Sequence, residues 1–431
     1  MPDDLIADLE WRGLIAQSTD RDALAAELTA GPVSAYFGCD PTAPSLHAGN
    51  LVGLLLLRRL QLAGHRVMPL AGGATGLIGD PSGRDTERQL LDVDTIRERV
   101  GKIRTQMERF LDLGEGKGLL VDNLDWTAPM SAIDFLRDVG KHFPVNVLLQ
   151  KESVSARLAG GGLSYTEFSY SLLQANDYLE LFRRHGCRLQ IGGSDQWGNI
   201  VAGVDLIRRV EGASVHALTF PLITDASGAK FGKSTGGGSV WLDPEMTSPY
   251  AFFQFWVNAD DRDVVGYLKV FSFRTRLEIE ALAAAAAERP HAREAQRALA
   301  EELTELVHGP EALAGVLAAT EALFGAGDVR TLSPTALADA LAGAPSLSVA
   351  PGAVPPVPAL LVELGLCKST SDARSRMSQG GVYLNGERVE DPSYVPTQAD
   401  LLHGRYVVLR VGKRSYGLVT AAGVRRAAAS I

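Results

Sequence analysis

The sequence predicts an α/β fold: a doubly wound parallel sheet in the first half, then a helical domain, then a smaller α+β domain. Three observations carry this. Short apolar runs (Val33 to Gly38, Val67 to Ala71, Leu119 to Asp122, Arg188 to Gly192) alternate with longer helical patterns as far as about Phe220, as parallel strands joined by helices require. From Ser248 to Gly325 the pattern turns helical, with Ala281 to Glu288 and Ala292 to Val307 rich in Ala, Glu and Leu. After a stretch rich in Ala, Gly and Pro, the β-like runs Tyr406 to Val411 and Tyr416 to Val419 flank a turn at Lys413-Arg414. The boundaries that follow are 1–247 for the sheet domain, 248–325 for the helices, 326–352 for a linker with one short helix at Ser333 to Leu341, and 353–431 for the last domain.

At 431 residues, 46% hydrophobic and 22% charged, the chain is long enough for two or three cores. Met1 to Ile6 is acidic and lacks the basic and apolar regions of an export signal, and the apolar run after Asn50 is broken by Arg58 and Arg59. A cytoplasmic protein without membrane contact is expected. Cys39, Cys187 and Cys367 are odd in number and widely spaced, which predicts free thiols and no zinc site. The net charge is −9, yet the segment from Leu341 onward carries +4 and the remainder −13. Local basic patches therefore remain available to nucleic-acid phosphates.

The first strand runs into Asp40-Pro41-Thr42-Ala43-Pro44-Ser45-Leu46-His47-Ala48-Gly49-Asn50 and then into an apolar helix from Leu51 to about Ala63. His47 and Gly49 thus stand at a strand-to-helix junction. Free N–H groups and the positive end of the helix dipole favour phosphate there, and Gly49 has no Cβ to obstruct a base or ribose. Downstream, Lys230-Phe231-Gly232-Lys233-Ser234 offers two lysines in a glycine-rich loop; paired with the first motif, they specify a nucleotide site. In Gly79-Asp80-Pro81-Ser82-Gly83, Asp80 is either a turn residue or a ligand. On the helix predicted from Ser164 to Leu179, Tyr170, Gln174 and Asp177 fall at i, i+4 and i+7, on one face. That face either meets solvent or binds a small zwitterion. Trp126 and Trp197 read as packing residues. In the last domain Arg374 and Arg376 project from a short helix capped by Ser371 or Asp372, and with Lys413 and Arg414 they are candidate RNA contacts.

These residues carry a resemblance. His47-Ala48-Gly49-Asn50 and Lys230 to Ser234 are similar to the two signature motifs of class I aminoacyl-tRNA synthetases. The likeness to bacterial tyrosyl-tRNA synthetases extends through Tyr36 to Asn50, Gly72 to Gly83, Ser164 to Asp177, Gln190 to Asn199 and Pro221 to Trp256. Leu360 to Leu366, Ser369 to Met377 and Gly380 to Gly386 resemble the S4-type RNA-binding module. Two positions depart from the common pattern: Asn50 replaces a second histidine, and Phe231-Gly232 replaces a Met-Ser pair. Asn still offers a hydrogen bond, and glycine keeps the lysine loop flexible.

The resemblance implies a Rossmann-like catalytic domain, with an insertion between about Asp94 and Gly162 that carries much of a homodimer interface. It implies a tyrosine–tRNA ligase acting on L-tyrosine, ATP and tRNA(Tyr), with magnesium accompanying ATP and no metal site on the protein. Tyr36 and Asp177 would face the phenolic hydroxyl, Asp80, Tyr170 and Gln174 would hold the α-ammonium group, and Gln196 would lie near the carboxylate. A site built to bind a hydroxyl rejects the analogue lacking it, on the order of 10⁴–10⁵-fold, a rule for which this family is itself the standard example. Gly38, Asp40, Gly192 and Ser234 would join the ATP site, with Gly49 at adenine and Asp195 at ribose. His47, Lys230 and Lys233 would stabilise the transition state, assisted by Thr42 and Asn50. Because the tyrosine carboxylate is already ionised, the chemistry needs placement and charge stabilisation rather than a general base. Two rivals stay open on sequence: a paralogue that adenylates another acid, and an RNA-binding regulator with a vestigial site.

Overall fold

The computed structural model describes residues 4–82, 90–150, 154–155, 157–158, 162–224, 239–325, 327–350, 354–412 and 415–421. The chain divides into two compact units, 1–247 with 255–307 and 248–254 with 308–431.

In the first unit the expected parallel sheet forms from β1 (Gln17–Ser18), β2 (Ser34–Cys39), β3 (Arg66–Ala71), β4 (Val121–Asp122), β5 (Cys187–Gly193) and β6 (His216–Phe220). The spatial order is β1-β6-β5-β2-β3-β4. All pairs are parallel except β1 with β6. The chain steps outward from β2 through β3 to β4, then returns through the Tyr165–His185 helix to lay β5 on the other side of β2. Strand order therefore reverses between β2 and β5, where Tyr36 pairs with Gln190 and Phe37 with Ile191. Loops leaving the carboxyl ends of those strands part in opposite directions and open a crevice.

The Ala48–Leu62 helix packs on this sheet. Leu51, Leu54, Leu55, Leu56 and Leu57 are fully buried, so the helix is covered nearly all round, as its apolar sequence demands. The 255–307 helices join the same unit through a buried charged node. Arg59 Nη2 donates to the Ser272 carbonyl at 2.5 Å, and Arg12 Nη1 donates to it at 3.2 Å, at the C-terminal end of the Val264–Phe271 helix. Glu302 accepts from the Ser272 hydroxyl at 2.7 Å and the Phe273 N–H at 2.6 Å. Burial, with Arg12 nearby, lowers the Arg59 guanidinium to about 9. Cations at a helix C-terminus satisfy its last carbonyls, and each buried charge here has hydrogen-bond partners.

The second unit holds a five-stranded sheet in the order β7-β11-β10-β8-β9, built from β7 (Ser346–Val349), β8 (Val382–Leu384), β9 (Glu387–Arg388), β10 (Tyr406–Val411) and β11 (Ser415–Ala421). Val382, Leu384, Val407, Leu409 and Val411 form a core with Leu360, Leu361, Ala373 and Met377 of the Val357–Glu363 and Thr370–Ser378 helices. On the other face Tyr416 meets the Phe324 ring and donates to the Leu323 carbonyl. Two local readings change. The Thr370–Ser378 helix is capped by Ser369, whose side chain accepts from Asp372 N, and not by Ser371 or Asp372; Ser369 is the residue with extended backbone, and the Asp372 carboxylate turns to Lys368 N and Arg376. Within 326–352, the Pro334–Ala340 helix falls where a short helix is expected, but Ser346–Val349 also pairs in parallel with β11. A four-residue run between Pro345 and Pro351 is too short to register as a strand. Among the described residues no helix is long and apolar enough to cross a membrane.

Candidate active site

At the β2/β5 reversal lies a cavity of about 380 Å³. Strand β2 brings Tyr36 and Gly38 to it, β5 brings Gln190 and Gly192, and the following turn brings Asp195 and Gln196. Asp40, Thr42, His47, Gly49 and Asn50 line the side reached by the first motif. Asp80 enters from its own turn, and Tyr170, Gln174 and Asp177 come from one face of the Tyr165–His185 helix. That face thus meets a cavity rather than bulk solvent.

The deep end is held by a hydrogen-bonded chain of side chains. Asp177 is 3% exposed; its Oδ1 accepts from Trp126 Nε1 at 2.8 Å and its Oδ2 from Asn123 Nδ2 at 2.9 Å. Asn123 also donates to Thr75 Oγ1 at 2.9 Å and accepts from Ala74 N at 2.7 Å. Thr75 donates to Asp40 Oδ1 at 2.6 Å, and the Tyr170 hydroxyl donates to Asp40 Oδ2 at 2.8 Å. Burial pushes the Asp177 carboxyl up to about 7, against the pull of its two donors. Burial, then the Asp177 charge, raises the Tyr36 phenol well above its ordinary value. Among the described residues, neither the buried Tyr36 hydroxyl nor the buried Gln174 Oε1 has a hydrogen-bond partner. A Cβ at Gly72 would collide with Asp40 Oδ1 and Thr75 Oγ1, so only glycine lets this network close.

Toward the mouth, Gln196 Nε2 donates to Asp80 Oδ2 at 2.7 Å, and Asp80 Oδ1 accepts from Ser82 N at 2.9 Å. Asp80 is therefore both turn residue and cavity residue.

His47 caps the Ala48–Leu62 helix. Its Nδ1 accepts from Gly49 N at 3.1 Å, and Asn50 Oδ1 accepts from His47 N at 3.0 Å, which completes a capping box. An accepting Nδ1 leaves the proton of the neutral ring on Nε2, and burial lowers the ring's basicity. A Cβ at Gly49 would stand 2.9 Å from the His47 ring, so the space glycine frees here is taken by that ring. The loop is tied to residues beyond the second motif: Ala48 N donates to Val240 O at 2.8 Å and Leu242 N to Leu46 O at 2.9 Å. The expected contacts Lys230, Lys233 and Ser234 lie outside the described residues, as do Lys413 and Arg414. Pro221, Leu222 and Ile223 line the cavity mouth.

The sequence does not single out Asn123 or Thr75, and it marks Trp126 only as a packing residue. A polar residue after a strand and a threonine in a short glycine-rich helix have no distinguishing local pattern. Trp126 does pack in the core with Tyr36 and Tyr178, and its N–H also orients Asp177. All three cysteines are free and buried; Cys39 lines the cavity, with its thiol pushed far up by burial. Arg374 and Arg376 are exposed, and Arg376 is paired with Asp372 at 2.9 Å.

Comparison with known proteins adds the following. The family model described as tRNA synthetases class I (W and Y) matches residues 28–325, and that of the tyrosine–tRNA ligase SYY-like C-terminal domain matches 336–419. The chain is 57% identical over 422 residues to a tyrosine–tRNA ligase of Nocardia farcinica, covering 96% of this chain and 98% of that one. It is 56% identical over 425 residues to the corresponding ligase of Mycobacterium bovis, covering 98% and 99%. Among solved structures, a C-terminally truncated mitochondrial tyrosyl-tRNA synthetase of Aspergillus nidulans aligns with a TM-score of 0.66 at 32% identity, over 73% of this chain and 92% of that one.

Proposed function

Because the chain belongs to the class I tRNA synthetases, and among them to the tyrosine–tRNA ligases, we propose how its residues divide the work of that reaction. The protein is a tyrosine–tRNA ligase: it joins tyrosine to tRNA at the expense of ATP. The observation that carries the assignment of the cavity is its deep end, where the buried Tyr36 hydroxyl, without a partner, lies beside a buried carboxylate already held by two donors. A phenol completes that site. Phenylalanine would leave both groups desolvated without return.

In the proposed arrangement the substrate hydroxyl meets Tyr36 and Asp177. Asp80, Tyr170 and Gln174 receive the α-ammonium group, and Gln196 flanks the carboxylate. A carboxylate oxygen of tyrosine attacks the α-phosphorus of ATP. The bond from that phosphorus to the bridging oxygen breaks, and pyrophosphate leaves with the electron pair. His47 Nε2–H, Thr42 and Asn50 donate to phosphate oxygens, with Lys230 and Lys233 adding charge and Ser234 a hydroxyl. Gly38, Asp40, Gly49 and Gly192 border the nucleotide, and Asp195 serves the ribose. In the second step a terminal adenosine hydroxyl of tRNA(Tyr) attacks the adenylate carbonyl and AMP leaves. Magnesium enters with ATP; among the described residues no group of three His, Cys, Asp or Glu side chains stands together to hold a metal ion.

Residues 1–247 carry the chemistry in this reading, and 248–325 and 353–431 meet the tRNA, with Arg374, Arg376, Lys413 and Arg414 on phosphates. A homodimer fits the apolar side chains left exposed around the 133–165 region, Ile133 at 69%, Val145 at 60% and Tyr165 at 67%. Tyr165→Asp should shift the sedimentation coefficient toward that of a monomer, and an unchanged coefficient would remove this surface from the dimer. The proposed setting is cytoplasmic, where tRNA is charged.

ATP–pyrophosphate exchange with tyrosine, phenylalanine and tryptophan tests the pocket. Exchange with tyrosine alone is expected. Equal exchange with phenylalanine would overturn the assignment of the deep end. The same assay on a chain ended after Ala350 should retain exchange while tRNA charging falls; equal loss of both would overturn the division of labour.

A further inference from the structure

Gln106, on the Val93–Phe110 helix, is 8% exposed and does not line the cavity. Its Oε1 accepts from Leu46 N at 2.8 Å and its Nε2 donates to Ser45 Oγ at 3.1 Å. The same hydroxyl oxygen accepts from Asp243 N at 3.1 Å and donates its own proton to the Leu46 carbonyl at 2.7 Å. That carbonyl in turn accepts from Leu242 N at 2.9 Å. The buried amide holds the Ser45–Leu46 segment, and the Ser45 hydroxyl and Leu46 carbonyl of that segment hold Leu242–Asp243, more than 190 residues away. The next residue after Leu46 is His47, and the bridge opposite His47 is Trp241. Arg99, from the same helix, donates to the Thr42 carbonyl at 2.7 Å, so the helix grips both ends of the loop.

We propose that Gln106 is a positioning residue for adenylate formation. It holds Leu46 N and the Ser45 hydroxyl, the segment on which Leu242 and Asp243 also bond, and so fixes the direction in which His47 presents Nε2–H. The inference rests on His47 serving the phosphates, as read above. A leucine at 106 would fill similar space, leave Leu46 N without its acceptor and take one donor from Ser45 Oγ, which keeps Asp243 N and the Leu46 carbonyl. The loop would then relax by tenths of an ångström to an ångström, which matters for a donor whose bond tightens at the transition state.

Purified Gln106→Leu, Ser45→Ala, the double variant and His47→Ala are to be compared in pyrophosphate exchange, with circular dichroism to establish that each is folded at the assay temperature. Gln106→Leu is expected to lower kcat about 10- to 100-fold, with the tyrosine KM within about twofold of the parent. Ser45→Ala should act in the same direction, and the double variant should lose less than the product of the two, because both break one knot. An unchanged kcat in Gln106→Leu beside a collapse in His47→Ala would overturn the positioning role. A tyrosine KM that rises in step with the fall in kcat would also overturn it, since general loosening moves both. Undiminished exchange in His47→Ala would instead remove the reading on which the inference stands. If Gln106→Leu does not fold, Ser45→Ala decides alone: an unaltered kcat there counts against the proposal.

Discussion

At the deep end of the cavity, Asp177, Asn123, Thr75 and Asp40 are linked side chain to side chain in one buried chain. At the mouth, backbone N–H and carbonyl groups carry much of the work: Ala48 and Leu242 donate to Val240 and Leu46, and Gly49 N donates to the His47 ring. The difference concerns what each end can tolerate. A side-chain network loses a partner with every substitution, and a buried group left unpaired costs about 1–3 kcal/mol. A loop held in part by backbone bonds keeps those bonds through changes of its own side chains, and leans on side chains at Gln106, Ser45 and the His47–Asn50 cap. Specificity therefore resides in the rigid end, and the end that handles phosphate is free to be assembled from loops.

The largest expected break in that contrast is Asp177→Ala. It strands Asn123 Nδ2 on one side, leaves Trp126 Nε1 with no acceptor, and removes the group that meets the substrate hydroxyl. The loss of tyrosine kcat/KM should be about 10- to 100-fold, for one charged hydrogen-bond partner of the substrate at about 1.5–3 kcal/mol, and the two donors left unpaired in the free protein should lower its melting temperature. ATP KM should change little, because the damage stays at the deep end. A variant that raised ATP KM as much as tyrosine KM would dissolve the distinction between the ends.

The sequence exposes the two ends unequally. Backbone-built parts declare themselves locally: a strand, a turn and a helix start in succession mark β2 and the His47 loop, and the parallel sheet follows from the alternation of apolar runs, whereas its reversal between β2 and β5 is set by strand order that the alternation does not give. The Tyr170, Gln174 and Asp177 face is legible because helical period puts those positions together. The deep network is not, because Asn123 lies 48 residues from Thr75 and 54 from Asp177, and only tertiary folding makes them neighbours. The same limit hides Ser346–Val349, whose strand character is conferred by β11, and Gln106, whose partners lie about 60 residues away.

A pH series sharpens the comparison with a smaller effect. Burial raises the folded-state Asp177 carboxyl from its ordinary 3.8 to about 7. The folded protein therefore holds this proton more tightly than the unfolded chain. The associated stability is complete below the ordinary carboxylate value and is lost as pH rises through about 7. Substrate binding runs the other way, since an ionised carboxylate is the acceptor for the phenol. Tyrosine KM should thus rise as pH falls below 7, by at most about tenfold per unit, while Asp177→Asn gives a flat profile over that range. A profile of the parent as flat as that of Asp177→Asn would mean that tyrosine binds without regard to the charge on Asp177.

The smallest effect belongs to Tyr36→Phe, and it separates a group kept for the substrate from one kept for the fold. The Tyr36 ring packs in the core against Tyr178 at 5.3 Å, and phenylalanine preserves that contact. The hydroxyl is buried with no partner among the described residues, so removing it should leave the melting temperature unchanged or slightly higher. With substrate bound the same hydroxyl gains its partner, and losing it should lower tyrosine kcat/KM by about 3- to 10-fold, the worth of one neutral hydrogen bond. Discrimination against phenylalanine falls by the same factor. A fall in melting temperature comparable to that of Asp177→Ala would mean that Tyr36 belongs to the supporting network, and the deep end would then be wholly structural apart from Asp177.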